Sequence, residues 1–358
     1  MANLCSTFNA LEDQADNVIS LRPDKTDASS TDLSLALEKM GLLAPGDRPI
    51  VATRLGGVSS EIYRVQVSLG TVCVKRALPG PKASSAWLAP TERSGYEIAW
   101  LKLARAIVGE SVPEVLGEQP GLFAMEYLDP ERHRSWKAQL RDGDINSSTA
   151  AEVGRLIGRV HAATAHNSAV ARRFASDQIF HAMRIESYLV AADEARPAAA
   201  MRLRALAQAM ARTKLALVHG DVNPKNVLVG PKGPILLDAE CAGYGDPAFD
   251  VASCLSHMLL KCVWRPQWCD RYLACFDAFA AAYRQRVTWE MPEHTDERAA
   301  LLLPAIVLAC VAGKSPVEYL DGAKDRSKVA AIARRMLFDP PVRLAAVRES
   351  WRRALSST

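Results

Sequence analysis

Residues 217–250 read LVHGDVNPKNVLVGPKGPILLDAECAGYGDPAFD. A short apolar run, Leu215 to Val218, ends in His219-Gly220-Asp221, and a polar loop carries the chain on to Asn226. Two further apolar runs, Val227-Leu228-Val229 and Ile235-Leu236-Leu237, flank Gly230-Pro231-Lys232-Gly233-Pro234. Short apolar runs bounded by Gly and Pro predict a tight β-hairpin. Asp238 and Glu240 follow its second strand directly. The pattern therefore predicts Asp221, Asn226 and Asp238 on loop ends at one edge of a rigid hairpin.

These residue types suit metal-assisted phosphoryl transfer. One carboxylate takes or orients the proton of an attacking hydroxyl, while an amide oxygen and a second carboxylate hold the Mg²⁺ that bridges nucleotide phosphates. An Asp followed by an Asn says little alone, because both are common turn residues. His-Gly-Asp, the Asn at its offset, the hairpin, Asp-x-Glu and Gly-Asp-Pro together are far more specific.

The spacing from Asp221 to Asn226 matches the protein-kinase catalytic loop. Gly220 stands where that signature has Arg, and Asp238-Ala239-Glu240 stands where it has Asp-Phe-Gly. With these departures the segment, through Gly245-Asp246-Pro247 and Asp250, closely resembles the aminoglycoside phosphotransferase and choline kinase family of small-molecule kinases. The resemblance extends over residues 50–320. It implies an α+β, two-lobed, protein-kinase-like fold, with a nucleotide-binding small lobe at 46–128 and a mostly helical large lobe at 129–358. It implies ATP, or alternatively GTP, as donor, Mg²⁺ as cofactor and a small-molecule hydroxyl as acceptor.

In the small lobe, Leu55-Gly56-Gly57-Val58-Ser59-Ser60 lies between two strand-like runs. Small side chains there let backbone N–H groups approach phosphate oxygens, which makes Gly56, Gly57, Ser59 and Ser60 a candidate phosphate flap. This is not the G-x-G-x-x-G pattern, and a bare hairpin turn has the same composition. In Thr71-Val72-Cys73-Val74-Lys75-Arg76, alternation puts Cys73 and Lys75 on one face and Val72 and Val74 on the other. A strand lysine is usually a solvated edge residue; by the resemblance, Lys75 contacts the nucleotide phosphates. A helix is predicted from about Thr91, with Tyr96, Trp100, Leu103 and Ile107 at helical spacing. The family pattern pairs a glutamate of this helix with the lysine. Glu97 is favoured over Glu92, because Trp100, Leu101 and Ala104 share its face and turn it inward. Leu122 to Leu128 reads as an apolar strand ending at Asp129-Pro130. It resembles a hinge whose backbone near Glu126, Tyr127 and Leu128 would bond the base, although a plain core strand fits the residues equally.

The first 45 residues read as an extension, mobile in part, with Thr31 capping a helix that ends at Gly41. In the large lobe, Thr149-Ala150-Ala151-Glu152 has the pattern of a capping box, followed by the apolar stripe Val153, Leu156, Ile157 and Val160. His161 is expected to be a satisfied core histidine. Residues 180–190 and 196–213 read as further helices. Asp250 is expected to cap the next helix and steady the catalytic loop, and His219 to position that loop by bonding backbone or Asp238. Lys261, Trp264, Arg265 and Trp268 lie where such kinases place acceptor-binding elements. A polycationic aminoglycoside needs clustered carboxylates, so this stretch favours a neutral or anionic acceptor; a solvated helix end with core tryptophans is the competing reading. Gly313-Lys314-Ser315 does not complete a phosphate-binding P-loop, because position 308 is Leu. Lys314 stays as a candidate acceptor or phosphate contact, with a plain loop lysine after a buried helix as the favoured reading.

Composition sets outer limits. The chain has 358 residues, 49% apolar and 23% charged, with net charge +4, and no dense basic cluster with interleaved aromatics that would suggest nucleic acid. The N-terminus lacks a basic start followed by an apolar run. The longest apolar stretch, Ala299 to Gly313, contains Pro304 and falls short of the ~20 residues that span a bilayer. A cytoplasmic monomer or homodimer without membrane contact is expected. The eight cysteines include no C-x-x-C pair and read as buried free thiols.

The roles implied are Lys75, held by Glu97, and the flap on ATP; Asn226 and Asp238 on Mg²⁺, with Glu240 sharing a second ion; and Asp221 accepting or orienting the hydroxyl proton. Two rivals are a protein kinase, disfavoured by the missing Asp-Phe-Gly and Ala-Pro-Glu signatures, and a non-catalytic nucleotide-binding module, whose usual mark is loss of Lys75, Asp221, Asn226 or Asp238.

Overall fold

A computed structural model describes residues 28–49, 51–56, 60–78, 90–190, 197–313 and 316–356. The expectations for residues 1–27, for Gly57 and Ser59 of the flap and for Lys314 lie outside the described residues, whereas Thr31 does not cap the first helix, which begins at Ala28 and contains it.

The small lobe comprises α1 (Ala28–Lys39), β1 (Val51–Gly56), β2 (Ser60–Val67), β3 (Gly70–Ala77), α2 (Pro90–Val108), β4 (Val115–Gln119) and β5 (Leu122–Glu126). Its strands form one antiparallel sheet in the order β1-β2-β3-β5-β4. Both faces are covered. Cys73 packs with Ile62, Phe123, Met125 and the α2 residues Trp100 and Leu101. On the other face Val72 and Val74 pack with Val65, Val67 and the α1 residues Leu33 and Leu37. Each of those leucines is almost fully buried, which contributes about 2 kcal/mol per side chain. Helix α1 is therefore part of this lobe's packing, and Lys75 is buried in the middle of a doubly covered sheet.

The large lobe begins with β6 (Arg134–Ser135), α3 (Trp136–Arg141), α4 (Ser147–Thr164), α5 (Ser168–Arg173) and α6 (Asp177–Phe180), which runs into a π-helical stretch, His181–Val190. It continues with α7 (Pro197–Arg212), β7 (Ala216–Val218), β8 (Val227–Gly230), β9 (Gly233–Leu236), β10 (Gly243–Gly245) and α8 (Ala248–Trp264). Helices α9 (Cys269–Arg284), α10 (Pro292–Ala312), α11 (Ala323–Phe338) and α12 (Leu344–Ser356) complete it. The small antiparallel sheet and helical remainder are the two-lobed α+β fold expected. Strands β8 and β9 form the predicted hairpin, in register from Val227↔Leu236 to Gly230↔Gly233. Strand β6 adds to its edge and β10 pairs with β7, so the catalytic loop is framed by two small sheets.

Three further local expectations change. The capping box at Thr149 does not form: α4 starts at Ser147, and the cap is Asn146, whose side chain accepts from the Ser148 N–H at 2.9 Å. Asn146-Ser147-Ser148-Thr149 offers successive cap-type residues, and the first of them adopts the extended backbone that capping requires. Asp250 does not cap α8; Asp246 does, accepting from the Ala248 N–H at 3.0 Å. The helix expected at 180–190 is π-wound over His181–Val190. The apolar stripe of α4 and the long helix α10, with Pro304 inside it, are buried as read. Six of the seven described cysteines are buried free thiols, Cys269 being half-buried. Among the described residues no helix is long and apolar enough to cross a membrane.

Candidate active site

The catalytic loop is built on a glycine that no other residue replaces without strain. Gly220 has φ +78, and a Cβ there would sit 2.4 Å from the Cys241 carbonyl oxygen. This close approach is the physical reason for Gly where protein kinases carry Arg. Asp250, fully buried in the first turn of α8, accepts from the His219 N–H at 2.7 Å and the Gly220 N–H at 2.9 Å. Its Oδ2 also meets His161 Nε2 at 3.2 Å, and His161 Nδ1 meets Tyr283 Oη at 2.9 Å. His161 is thus a satisfied core histidine, and Asp250 steadies the loop by binding its backbone. His219 Nε2 lies 2.9 Å from the Leu237 carbonyl, while its Nδ1 accepts from the Asp221 N–H at 3.2 Å. Burial lowers the His219 imidazole below its ordinary range. Its ring packs edge-on to Trp100.

Asp221 is buried yet ionised. Its Oδ1 accepts from Asn223 Nδ2 at 2.9 Å and its Oδ2 from Asn226 Nδ2 at 2.8 Å. Burial alone would raise the carboxyl, but the Arg184 guanidinium at 3.2 Å and the Lys225 ammonium at 3.6 Å outweigh it and hold it well below the carboxylate range. Arg184 comes from the π-helical stretch and also donates to the Gly220 carbonyl. Sequence reading missed this residue, since no motif surrounds it.

Asn226 spends its amide nitrogen on Asp221, and its Oδ1 is buried without a hydrogen-bond partner. Asp238 follows β9 in the left-handed region, φ 63, where a non-glycine residue is held only by its surroundings. Its Oδ1 accepts from Lys75 Nζ at 2.6 Å, and Lys75 also bonds both oxygens of Glu97 at 2.8 Å. Glu92 is exposed, so the glutamate pairing falls to Glu97. Burial disfavours the ammonium, but the Asp238 and Glu97 charges outweigh it and raise Lys75. Glu240 pairs with the buried Arg93 of α2 at 3.1 Å, a second ion pair between the lobes. An orphaned amide oxygen, a carboxylate bonded among the described residues to a lysine, and hard oxygen chemistry throughout are a donor set that fits Mg²⁺.

A mostly apolar pocket is lined by Leu55, Cys73, Pro113, Met125, Glu126, Tyr127, Leu128, Leu228 and Leu237. Gly56 ends β1, and Ser60, buried, opens β2. The Glu126 N–H donates to the Glu114 carbonyl at 2.8 Å. In the stretch expected from sequence to bind the acceptor, Lys261 is buried with its Nζ 4.3 Å from the Tyr319 ring centroid and 5.1 Å from that of Trp264. Arg265 stacks on Trp264 at 4.5 Å. Trp268 packs over Gly143, where a Cβ would meet its ring at 2.6 Å.

The model of the phosphotransferase enzyme family, APH, matches residues 51–323. A methylthioribose kinase of Escherichia coli is 25% identical over 59% of this chain and 58% of its own length. A methylthioribose kinase of Oryza sativa is 23% identical, with 59% of each chain covered. The chain thus spans somewhat under two thirds of the length of these curated relatives. Among solved structures, an amicoumacin kinase in complex with AMP-PNP and Ca²⁺ superposes with a TM-score of 0.53 at 17% identity, covering 87% of this chain and 95% of that one. An ethanolamine kinase of Plasmodium vivax superposes at 0.54 with 10% identity, covering 84% and 86%. At these identities the superpositions bear on fold alone. With the family match running through the flap, the lysine strand, the catalytic loop and the hairpin, the chain belongs to the phosphotransferase enzyme family.

Proposed function

We propose that this protein transfers the γ-phosphoryl group of ATP to a hydroxyl of a small molecule. The observation that carries the reading is the pairing within the catalytic loop. Asp221 is ionised and bonded to Asn226, whose own oxygen is left without a partner beside the Lys75–Asp238 pair. In this account the apolar pocket takes the base, and Lys75, held by Glu97, takes the phosphates with the flap from Gly56 to Ser60. Asn226 and Asp238 would hold Mg²⁺, with Glu240 as a further ligand at the expense of its Arg93 pairing. When bound, the ion supplies charge neutralisation at the phosphate oxygens.

The step balances simply. The acceptor hydroxyl oxygen bonds to the γ-phosphorus, the bond to the β-phosphate bridging oxygen breaks, and ADP leaves. The hydroxyl proton passes to Asp221, whose ionised state the Arg184 and Lys225 charges maintain. Positioning and charge supply most of the rate. The stretch expected to bind the acceptor carries Lys261 and Arg265, which favours a neutral or anionic acceptor over a polycation. The test is a screen of hydroxylated metabolites and antibiotics with Mg·ATP, reading ADP release. Acceptor-dependent release supports the reading; failure to bind Mg·ATP refutes it.

A further inference from the structure

Helix α8 connects the catalytic loop to an unusual lysine. Asp250 in its first turn holds His219 and Gly220, and Lys261 in its last turn is 1% exposed. The Lys261 ammonium meets the faces of Tyr319 and Trp264, and among the described residues no carboxylate pairs with it. Aromatic faces return only part of the hydration that a buried ammonium gives up. The charge that acts on it is positive: Lys137, in the first turn of α3. Helix α3 packs against the Pro224–Asn226 turn of the catalytic loop, and the charges of Lys137, Asp221, Lys225 and Lys261 all act on His257.

The other groups of this wall do not supply the missing anion. Glu318 pairs with Lys137 at 3.3 Å. His257, one turn before Lys261, bonds the Tyr319 hydroxyl at 2.9 Å. Burial, then the Lys261 charge, pushes His257 down to about 3, so it stays neutral. Asp221, which also acts on His257, already carries Arg184 and Lys225. An amine-bearing acceptor would meet like charge here. A carboxylate or phosphate would give Lys261 the partner it lacks.

We propose that the acceptor carries an anionic group, a carboxylate or a phosphate, which Lys261 binds with Lys137 beside it while the acceptor hydroxyl lies at Asp221. This rests on the kinase reading above and narrows its substrate class. Burial and Lys137 lower the Lys261 ammonium to about 7. A docked anion favours its protonated form, so affinity for the acceptor should fall as pH rises above that value.

The test uses the full chain with matched sets of neutral polyols, hydroxy acids and hydroxyalkyl phosphates. Binding is read by calorimetry with a non-hydrolysable ATP analogue, and turnover by ADP release. Hydroxy acids or hydroxyalkyl phosphates should bind and react, and whichever set responds identifies carboxylate or phosphate. Lys261→Met should raise KM for that set at least ~10-fold, roughly 1.4 kcal/mol of lost binding, with a much smaller change in kcat. Lys137→Gln gives a second readout of the same KM if Lys261→Met fails to fold. Binding or turnover confined to neutral or amine-bearing acceptors, or a KM unmoved in both variants, overturns the anionic acceptor. So does intact nucleotide binding with no anionic compound bound. Loss of nucleotide binding by the wild type overturns the kinase reading instead.

Discussion

Lys75 Nζ stands 2.6 Å from Asp238 Oδ1, closer than the 2.8 Å it keeps to either oxygen of Glu97. One buried ammonium of the small lobe thus serves two carboxylates, one from each lobe. The shared cation cannot satisfy both fully. Burial, only partly offset by Lys75, pushes Glu97 up to about 7, while Asp238 is held below its ordinary value: burial opposes its ionisation, but Lys75 outweighs it. A carboxyl raised above its unfolded value contributes stability below about pH 4.5 and loses it as pH rises through about 7. Urea titrations at pH 5 and pH 8 should show a fall in stability that Glu97→Gln reduces. An identical fall in that variant would contradict the assignment.

Removing the cation is a harsher change. Lys75→Met leaves Glu97 and Asp238 buried without it, and we expect a loss of about 3–5 kcal/mol in chemical denaturation. Asp238→Ala, which leaves Lys75 paired to Glu97, should cost much less stability and weaken Mg·ATP binding at least ~10-fold by calorimetry.

Arg184 sets the charge state of Asp221. The carboxyl lies below its ordinary value, so its ionised form persists as pH falls through the usual carboxylate range. Arg184→Met removes the largest opposing charge and lets burial raise the carboxyl. The acid limb of the kcat profile should then move toward neutral pH, with turnover at pH 7 reduced. A profile that overlays the wild type would show that the arginine only packs.

Asp250 holds two backbone donors of the catalytic loop, at His219 and Gly220. Asp250→Ala leaves both N–H groups buried and unpaired, at about 1–3 kcal/mol each. A drop in melting temperature together with loss of hydrogen-exchange protection at His219 and Gly220 would follow. Protection unchanged at those amides would refute the role.

Much of the site was legible because its chemistry is local in sequence. Asp221, Asn226 and Asp238 lie on the loop ends that flank one hairpin, and alternation along a strand put Lys75 on the face of Cys73. Glu97 was legible at longer range because helical periodicity turns it inward with Trp100. Arg184 was not, for it reaches Asp221 from a π-wound segment whose side-chain directions do not follow the ordinary helical period. Arg93 was hidden for a related reason: its partner Glu240 lies 147 residues away, and nothing local marks either as paired. The α4 cap was misplaced because Asn146 to Thr149 are all plausible caps, and backbone geometry chose among them. Packing of α1 on the outer sheet face left no signal beyond an amphipathic pattern.

The measurement closest to the central claim compares wild type with Asp221→Ala for both Mg·ATP affinity and phosphoryl transfer to an acceptor found by screening. The account predicts affinity within a few-fold of wild type, because Asp221 serves the hydroxyl and not the nucleotide, and transfer reduced by at least ~100-fold. Wild-type-like turnover in Asp221→Ala would contradict it.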